Sequence, residues 1–285
     1  MSEQSQTQRI ALVTGAGGRG GIGRAIAHEL ARRGIHLALT DVERTSDTLP
    51  PDEIESNWRG IESVAEEVRE YGVEAATFIC DLTKPAEIQT TVTAAVGWKG
   101  QIDVLVNNAR ALMGRDAVPV TVLELDVWQH FLAINTTAPF LMIREVARHM
   151  QARGQGGRIV TIGSDMSKRA LRNTAAYAAS KFGVLGLTQA AAMDLADDGI
   201  TVNAVCPGPV RTNRFNYAER DKAIASGDSL ESVREKGWDH KGAEIPLGRP
   251  ASVEDIARMV GFLTSEDAGY ITGQGYNVNG GMFFH

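Results

Sequence analysis

No window of the 285-residue chain approaches eighteen unbroken apolar residues, so a membrane-spanning helix is not expected. Cysteine is scarce. Cys80 and Cys206 each sit at the end of an apolar run, where buried, reduced thiols of a cytoplasmic protein are expected over a disulfide. No His/Cys cluster has metal-ligand spacing, so no metal is expected. Surplus positive charge is missing too, and a net charge of −6 argues against nucleic acid or an anionic membrane as partner. Neither internal repeats nor low-complexity linkers occur. Residues 1–8 carry one charge, Glu3, and read as a flexible leader and not as a secretory signal.

What is present is globular in character, with 43% apolar and 22% charged residues. A chain this long buries a large core within a single α/β domain, expected over 9–285. Short apolar runs at 9–14, 35–40, 73–80, 102–107, 158–163, 200–206 and 275–278 suit buried strands. Helical periodicity separates them. Ile22, Ile26 and Leu30 recur every four residues, and further helices are predicted over 61–70, 85–98, 123–153 and 174–196. Strands alternating with helices predict a doubly wound parallel sheet covered on both faces. Two stretches break the rhythm. Residues 42–60 are polar, carry Pro50 and Pro51, and read as an insertion. Residues 209–248 are charged and irregular, carry Trp238, and read as a substrate loop or lid.

The glycines at 15, 17, 18, 20, 21 and 23 join the first strand to the first helix. Placed there, they let the backbone turn tightly and approach a pyrophosphate at the helix N-terminus. The second strand ends in Asp41, 18 residues after Gly23, where a carboxylate accepts hydrogen bonds from a ribose 2′-hydroxyl and repels a 2′-phosphate. That favours NAD over NADP, whereas Arg19 in the loop pulls mildly the other way.

Tyr177 and Lys181 are four residues apart in the helix predicted over 174–196, and so share a face. A free phenol titrates near 10, and lowering it by about three units takes roughly 4 kcal/mol. One cation at about 4 Å supplies an energy of that order at an effective dielectric near 20. With five Tyr and seven Lys, such a spacing arises by chance in about one chain in eight, so the pair alone does not decide the matter.

Together these segments resemble the classical short-chain dehydrogenases/reductases over 9–282. The resemblance rests on Thr14, Gly15, Gly21 and Gly23 in a loop two residues longer than the family's, on Asp81-Leu82, and on Asn107-Asn108-Ala109. Pro207-Gly208 followed by Thr212 completes it, and Arg110 stands where the family has glycine. It implies a Rossmann-like fold with Tyr177 as general acid/base and Lys181 lowering its pKa and holding the nicotinamide ribose. Ser164, thirteen positions before Tyr177, would bind the substrate oxygen, and Asn135 would bind, through its kinked backbone, a water linking Lys181 to solvent. Cofactor contacts are implied at Gly15, Arg19, Gly21, Ile22, Gly23 and Asp41, and at Asp81, Leu82, Asn108 and Ala109. Tyr177, Lys181, Pro207, Gly208, Val210 and Thr212 complete that set.

The tail, with its terminal Phe283-Phe284-His285, is similar to members acting on acetoin, diols and polyols. The family implies a homotetramer built through the 123–153 and 174–198 helices, and two exposed Phe residues suggest packing across a subunit contact. Three readings follow. One is an NAD-dependent dehydrogenase of a small secondary alcohol, diol or polyol. The second is an NADP-dependent 3-oxoacyl-thioester reductase, with Lys168, Arg169, Arg172, Arg211 and Arg214 meeting an acidic carrier. The third is a cofactor-sensing or scaffold protein without chemistry, which the intact Ser164, Tyr177 and Lys181 set disfavours.

Overall fold

The structure, a computed structural model, describes residues 8–44, 49–213 and 217–285. Positions 1–7 of the expected leader, 45–48 of the insertion, and 214–216 of the lid, with Arg214, lie outside the described residues. Strands β1 (Ile10–Thr14), β2 (His36–Asp41), β3 (Ala75–Ile79), β4 (Val104–Asn107), β5 (Gly157–Ile162), β6 (Ile200–Pro207) and β7 (Gly275–Val278) form one sheet. Their order is β3-β2-β1-β4-β5-β6-β7, and every pairing is parallel. This is the Rossmann-like α/β fold that the alternation predicts.

The helices are α1 (Ile22–Arg32), α2 (Pro51–Glu55), α3 (Ile61–Arg69), α4 (Pro85–Lys99), α5 (Leu125–Leu132), α6 (Ala138–Arg153) and α7 (Ala175–Leu195). After β6 come α8 (Tyr217–Ser226), α9 (Leu230–Glu244) and α10 (Val253–Leu263). Because successive strand side chains face opposite ways, β1 feeds two cores. Ala11 and Val13 join α1, α3 and α10 on one face, while Leu12 joins α4, α6 and α7 on the other. β1, β4 and β6 are buried along their whole length, as strands covered on both sides must be.

Three elements differ from the sequence expectation. The helix predicted over 123–153 is α5 and α6 joined by a π-turn at Ala133–Thr137. The stretch expected to be irregular over 209–248 holds α8 and α9, which bury only Ala223, Val233 and Gly242. Helices that bury so little carry no apolar stripe to read. The third, α10, is a helix the periodicity search passes over. Its signal is a capping box, with Ser252 Oγ accepting from the Asp255 N–H at 3.2 Å and Asp255 accepting from the Ser252 N–H at 2.9 Å. Ile256, Ala257, Val260 and Leu263 behind it are buried.

From β1 the chain builds outward to β2 and β3, then returns to place β4 on the other side of β1. The loops leaving β1 and β4 therefore diverge, and a crevice opens at the C-terminal ends of these two strands.

Candidate active site

The loop from β1 to α1 is shaped by contacts that only glycine permits. Gly15 has φ +67°, and a Cβ on it would lie 2.7 Å from Ala109 Cα. A Cβ on Gly23 would lie 2.3 Å from the Gly15 carbonyl oxygen. Thr14 Oγ1 accepts from the N–H groups of Asn108 and Ala109 at 3.0 and 3.1 Å. Asn108 Nδ2 donates back to the carbonyls of Thr14 and Gly15 at 3.0 and 2.9 Å. Asn108 thus clasps the turn. Gly21 caps α1 with no side-chain partner, and no acidic residue lies in its first turn. The free N–H groups and positive end of α1 suit the pyrophosphate of a dinucleotide. Ile22 packs its side chain on the apolar core, so what it offers the crevice is backbone.

Around this cradle lie the other expected cofactor positions. Asp41 accepts from the Gly17 N–H at 2.7 Å and the Val42 N–H at 2.8 Å, one through each carboxylate oxygen. Each oxygen keeps capacity for a hydroxyl donor. Asp81 accepts from the Thr83 N–H and hydroxyl at 2.9 and 2.7 Å, which holds its carboxyl below the usual range. Leu82 packs against the second core. The Arg19 guanidinium pairs with Asp52, 3.5 Å away, so the cation that hinted at NADP has an acidic partner from α2. On the far side, a Cβ on Gly208 would meet Asn279 Cβ at 2.9 Å. Val210 bridges to Ala251, and half-buried Thr212 precedes Asn213, which donates to Asp52 at 2.6 Å.

Ser164 follows β5, and Tyr177 and Lys181 face it from α7. All three are buried. The Ser164 hydroxyl donates to Asp165 and accepts from the Met166 N–H, both at 3.1 Å, and it favours the ionised form of the Tyr177 phenol. Tyr177 stands edge-on to Phe131, with ring centroids 6.3 Å apart. Lys181 Nζ donates to the Ile162 carbonyl at 2.7 Å and lies 5.9 Å from the centre of the Tyr177 ring. Asn135 sits in the π-turn, accepting from the Ala111 N–H at 2.9 Å and donating to Ser180 Oγ at 3.0 Å. That turn buries the amide and spends it on protein partners.

One expectation is corrected here. The Tyr177–Lys181 spacing predicts a lowered phenol pKa, yet burial pushes the Tyr177 hydroxyl up. The cation that opposes this shift most is Arg110, and the Ser164 hydroxyl opposes it next. Asp165 and Asp116 add to the rise. Spacing alone cannot tell that the ammonium is drawn to a strand carbonyl. Arg110 was legible as a departure from the family glycine, but its effect on the phenol needed the fold.

The two tail phenylalanines differ in setting. Phe283 packs within its own chain, its ring 5.0 Å from the Arg169 guanidinium and 5.4 Å from the His285 ring. Phe284 alone is left exposed, at 85%. Arg169 also pairs with Asp165 at 3.1 Å, so the tail ends beside the Ser164 turn. Of the other cations considered for an acidic carrier, Lys168 donates to the Gly275 carbonyl and Arg211 pairs with Glu235.

The sequence model described as enoyl-(acyl carrier protein) reductase matches residues 15–283. A protein named as ketoacyl reductase 1 of the granaticin polyketide synthase of Streptomyces violaceoruber is 38% identical, over 96% of this chain and 92% of its own. The L-2,3-butanediol dehydrogenase of Corynebacterium glutamicum is 34% identical, over 97% of this chain and 99% of its own. Among solved structures, acetoin dehydrogenase YohF of Salmonella typhimurium superposes with a TM-score of 0.76 at 30% identity, covering 96% of this chain and 97% of that one. An actinorhodin polyketide ketoreductase variant with NADPH gives 0.80 at 35% identity, covering 96% and 97%.

Proposed function

The chain belongs to the short-chain dehydrogenase/reductase family and is an oxidoreductase acting on alcohol or ketone groups; from that premise we propose that it moves a hydride between NAD(H) and a small secondary alcohol, diol or polyol or the matching ketone. The observation that carries this reading is the buried trio of Ser164 after β5 with Tyr177 and Lys181 on α7, Lys181 held on the Ile162 carbonyl. It lies two strands from the glycine cradle, where β4 and β5 end. A bound nicotinamide supplies or accepts the hydride. Ser164 holds the substrate oxygen and Tyr177 gives or takes its proton. A phenol held neutral by burial is primed to donate, which supports ketone reduction at neutral pH. Lys181 and Asn135 position the phenol-bearing helix through the Ile162 carbonyl and Ser180. Met113, Phe131 and Met166 surround Tyr177 with apolar surface, and this suits a small, largely uncharged substrate.

The 38% identical ketoacyl reductase favours a second reading, reduction of a 3-oxoacyl thioester with NADP(H). Asp41 speaks against it, as do the protein partners of Lys168, Arg169 and Arg211. The two readings separate in one assay. The absorbance of reduced nicotinamide at about 340 nm is followed with NAD(H) and NADP(H) across acetoin, diols, polyols and acyl thioesters. NAD(H) with a diol or hydroxyketone should turn over fastest, and Asp41→Ala should lower the preference for NAD by about tenfold or more. A wild-type preference for NADP(H) with acyl thioesters would hand the assignment to the second reading.

Assembly follows the same logic. Phe140 on α6 and Phe182 and Met193 on α7 are exposed at 44%, 45% and 81%, apolar surface that a homotetramer would cover. Elution as a monomer at micromolar concentration in size-exclusion chromatography would reject it. Both cysteines are buried and free, which supports residence in the reducing cytoplasm. Among the described residues no helix is long and apolar enough to cross a membrane.

A further inference from the structure

Among the buried charged groups to which the mechanism gives no task is one beside the glycine loop. Glu53, in the short α2 of the insertion, has a side chain only 1% exposed. Its carboxylate accepts from the Arg19 N–H of the glycine loop at 2.8 Å and forms an ion pair with Arg44, three residues beyond Asp41. Arg44 also donates to the Gly17 carbonyl at 3.1 Å, and Trp58 Nε1 donates to the same carbonyl at 2.7 Å. The Gly17 N–H is the one that binds Asp41 at 2.7 Å. One glycine thus couples the ribose-reading acid to the Arg44–Glu53 pair.

Among the described side chains of α2 no apolar one is buried. Its Ile54 is 54% exposed, and polar contacts reach the helix from Arg19, Arg44 and Asn213. A buried carboxylate retained in so small an element, at a cost in desolvation, points to a use. A backbone N–H in the glycine loop and a guanidinium just past β2 are the kind of donors a 2′-phosphate seeks. Here both are already occupied by an anion that belongs to the protein.

We propose that Glu53 is a specificity-determining residue: an internal anion that fills the 2′-phosphate-binding donors and so makes the crevice select NAD(H) over NADP(H). This rests on the dinucleotide reading of the crevice and extends its cofactor choice beyond Asp41. A 2′-phosphate has to displace the Glu53 carboxylate or sit against it, and a 2′-hydroxyl meets neither penalty.

The test is calorimetric titration of the full chain with 5′-ADP and with 2′,5′-ADP, which needs no turnover. Wild type should bind 5′-ADP at least about tenfold more tightly. Glu53→Gln, which keeps the shape and removes the charge, should narrow that gap about tenfold by improving 2′,5′-ADP binding, with 5′-ADP affinity held within about threefold. If Glu53→Gln fails to fold, Glu53→Met with Arg44→Met removes both charges together. That double variant should narrow the gap too, though by less, since the receiving cation is also gone. A gap unchanged in whichever variant folds, or equal losses for both nucleotides, overturns the proposal and leaves Glu53 as a strut. A wild type that discriminates less than threefold overturns it as well. Binding of neither nucleotide by wild type overturns the dinucleotide reading itself, and this proposal with it.

Discussion

Tyr177→Phe should lower kcat by about 10²–10⁴-fold, the range typical of a lost general acid/base, while the protein stays folded. The ring remains and keeps its edge-on contact with Phe131. What disappears is one buried hydroxyl near Ser164, a stability change of about 1 kcal/mol. Steady-state kinetics and a thermal melt read the two quantities separately. The pH profile gives a third check. Burial raises the Tyr177 pKa, so the phenol stays protonated through neutral pH and alcohol oxidation, which needs the phenolate, should climb with pH. In Tyr177→Phe that climb should vanish. A variant retaining more than about a tenth of wild-type kcat would remove Tyr177 from the chemistry.

Gly23→Ala should come next in size, through shape. Its Cβ would lie 2.3 Å from the Gly15 carbonyl oxygen, 2.6 Å from Asn108 Nδ2 and 2.9 Å from Ala16 Cα. Two of these are backbone atoms, and Asn108 Nδ2 is fixed by its bonds to Thr14 and Gly15. None can yield cheaply, so the start of α1 must swing out or the Asn108 clasp must break. Overpacking of this kind costs about 1–3 kcal/mol. Because α1 carries the N–H groups proposed to hold the pyrophosphate, binding of NAD should weaken about a hundredfold or more, a loss of roughly 3 kcal/mol. Gly97→Ala is the control, since it lies in α4 with nothing within 4 Å of the added carbon. It should leave binding alone and raise stability by about 0.5–1 kcal/mol. Calorimetry with NAD and a melt for both variants measure this, and a Gly23→Ala protein binding NAD like wild type refutes the cradle.

How much of this was open to reading beforehand varies with how local the cause is. The strand at 10–14 is apolar on both faces but for its last residue, Thr14, so its burial is written in composition. The crevice was legible because glycines and Asp41 sit at element ends, where backbone shape dictates residue type. Helices α8 and α9 were not, because they bury so little that no periodic stripe marks them. Glu53 was invisible for a different reason. Its partners Arg19 and Arg44 come from another loop and another strand end, and no spacing rule brings the three together. The Tyr177 pKa fell between. A lysine neighbour could be guessed from α7 alone, but the burial that raises the phenol and Arg110, the cation that opposes the rise, belong to the assembled fold.

Asn213 and Asp52 lie 161 residues apart in the chain, yet one amide–carboxylate hydrogen bond of 2.6 Å joins them. The excursion after β6 and the excursion after β2 are thereby buckled to each other across the glycine loop. Were the dinucleotide proposed above to run beneath this buckle, its tenure would depend on the fastening as well as on the fit of the seat.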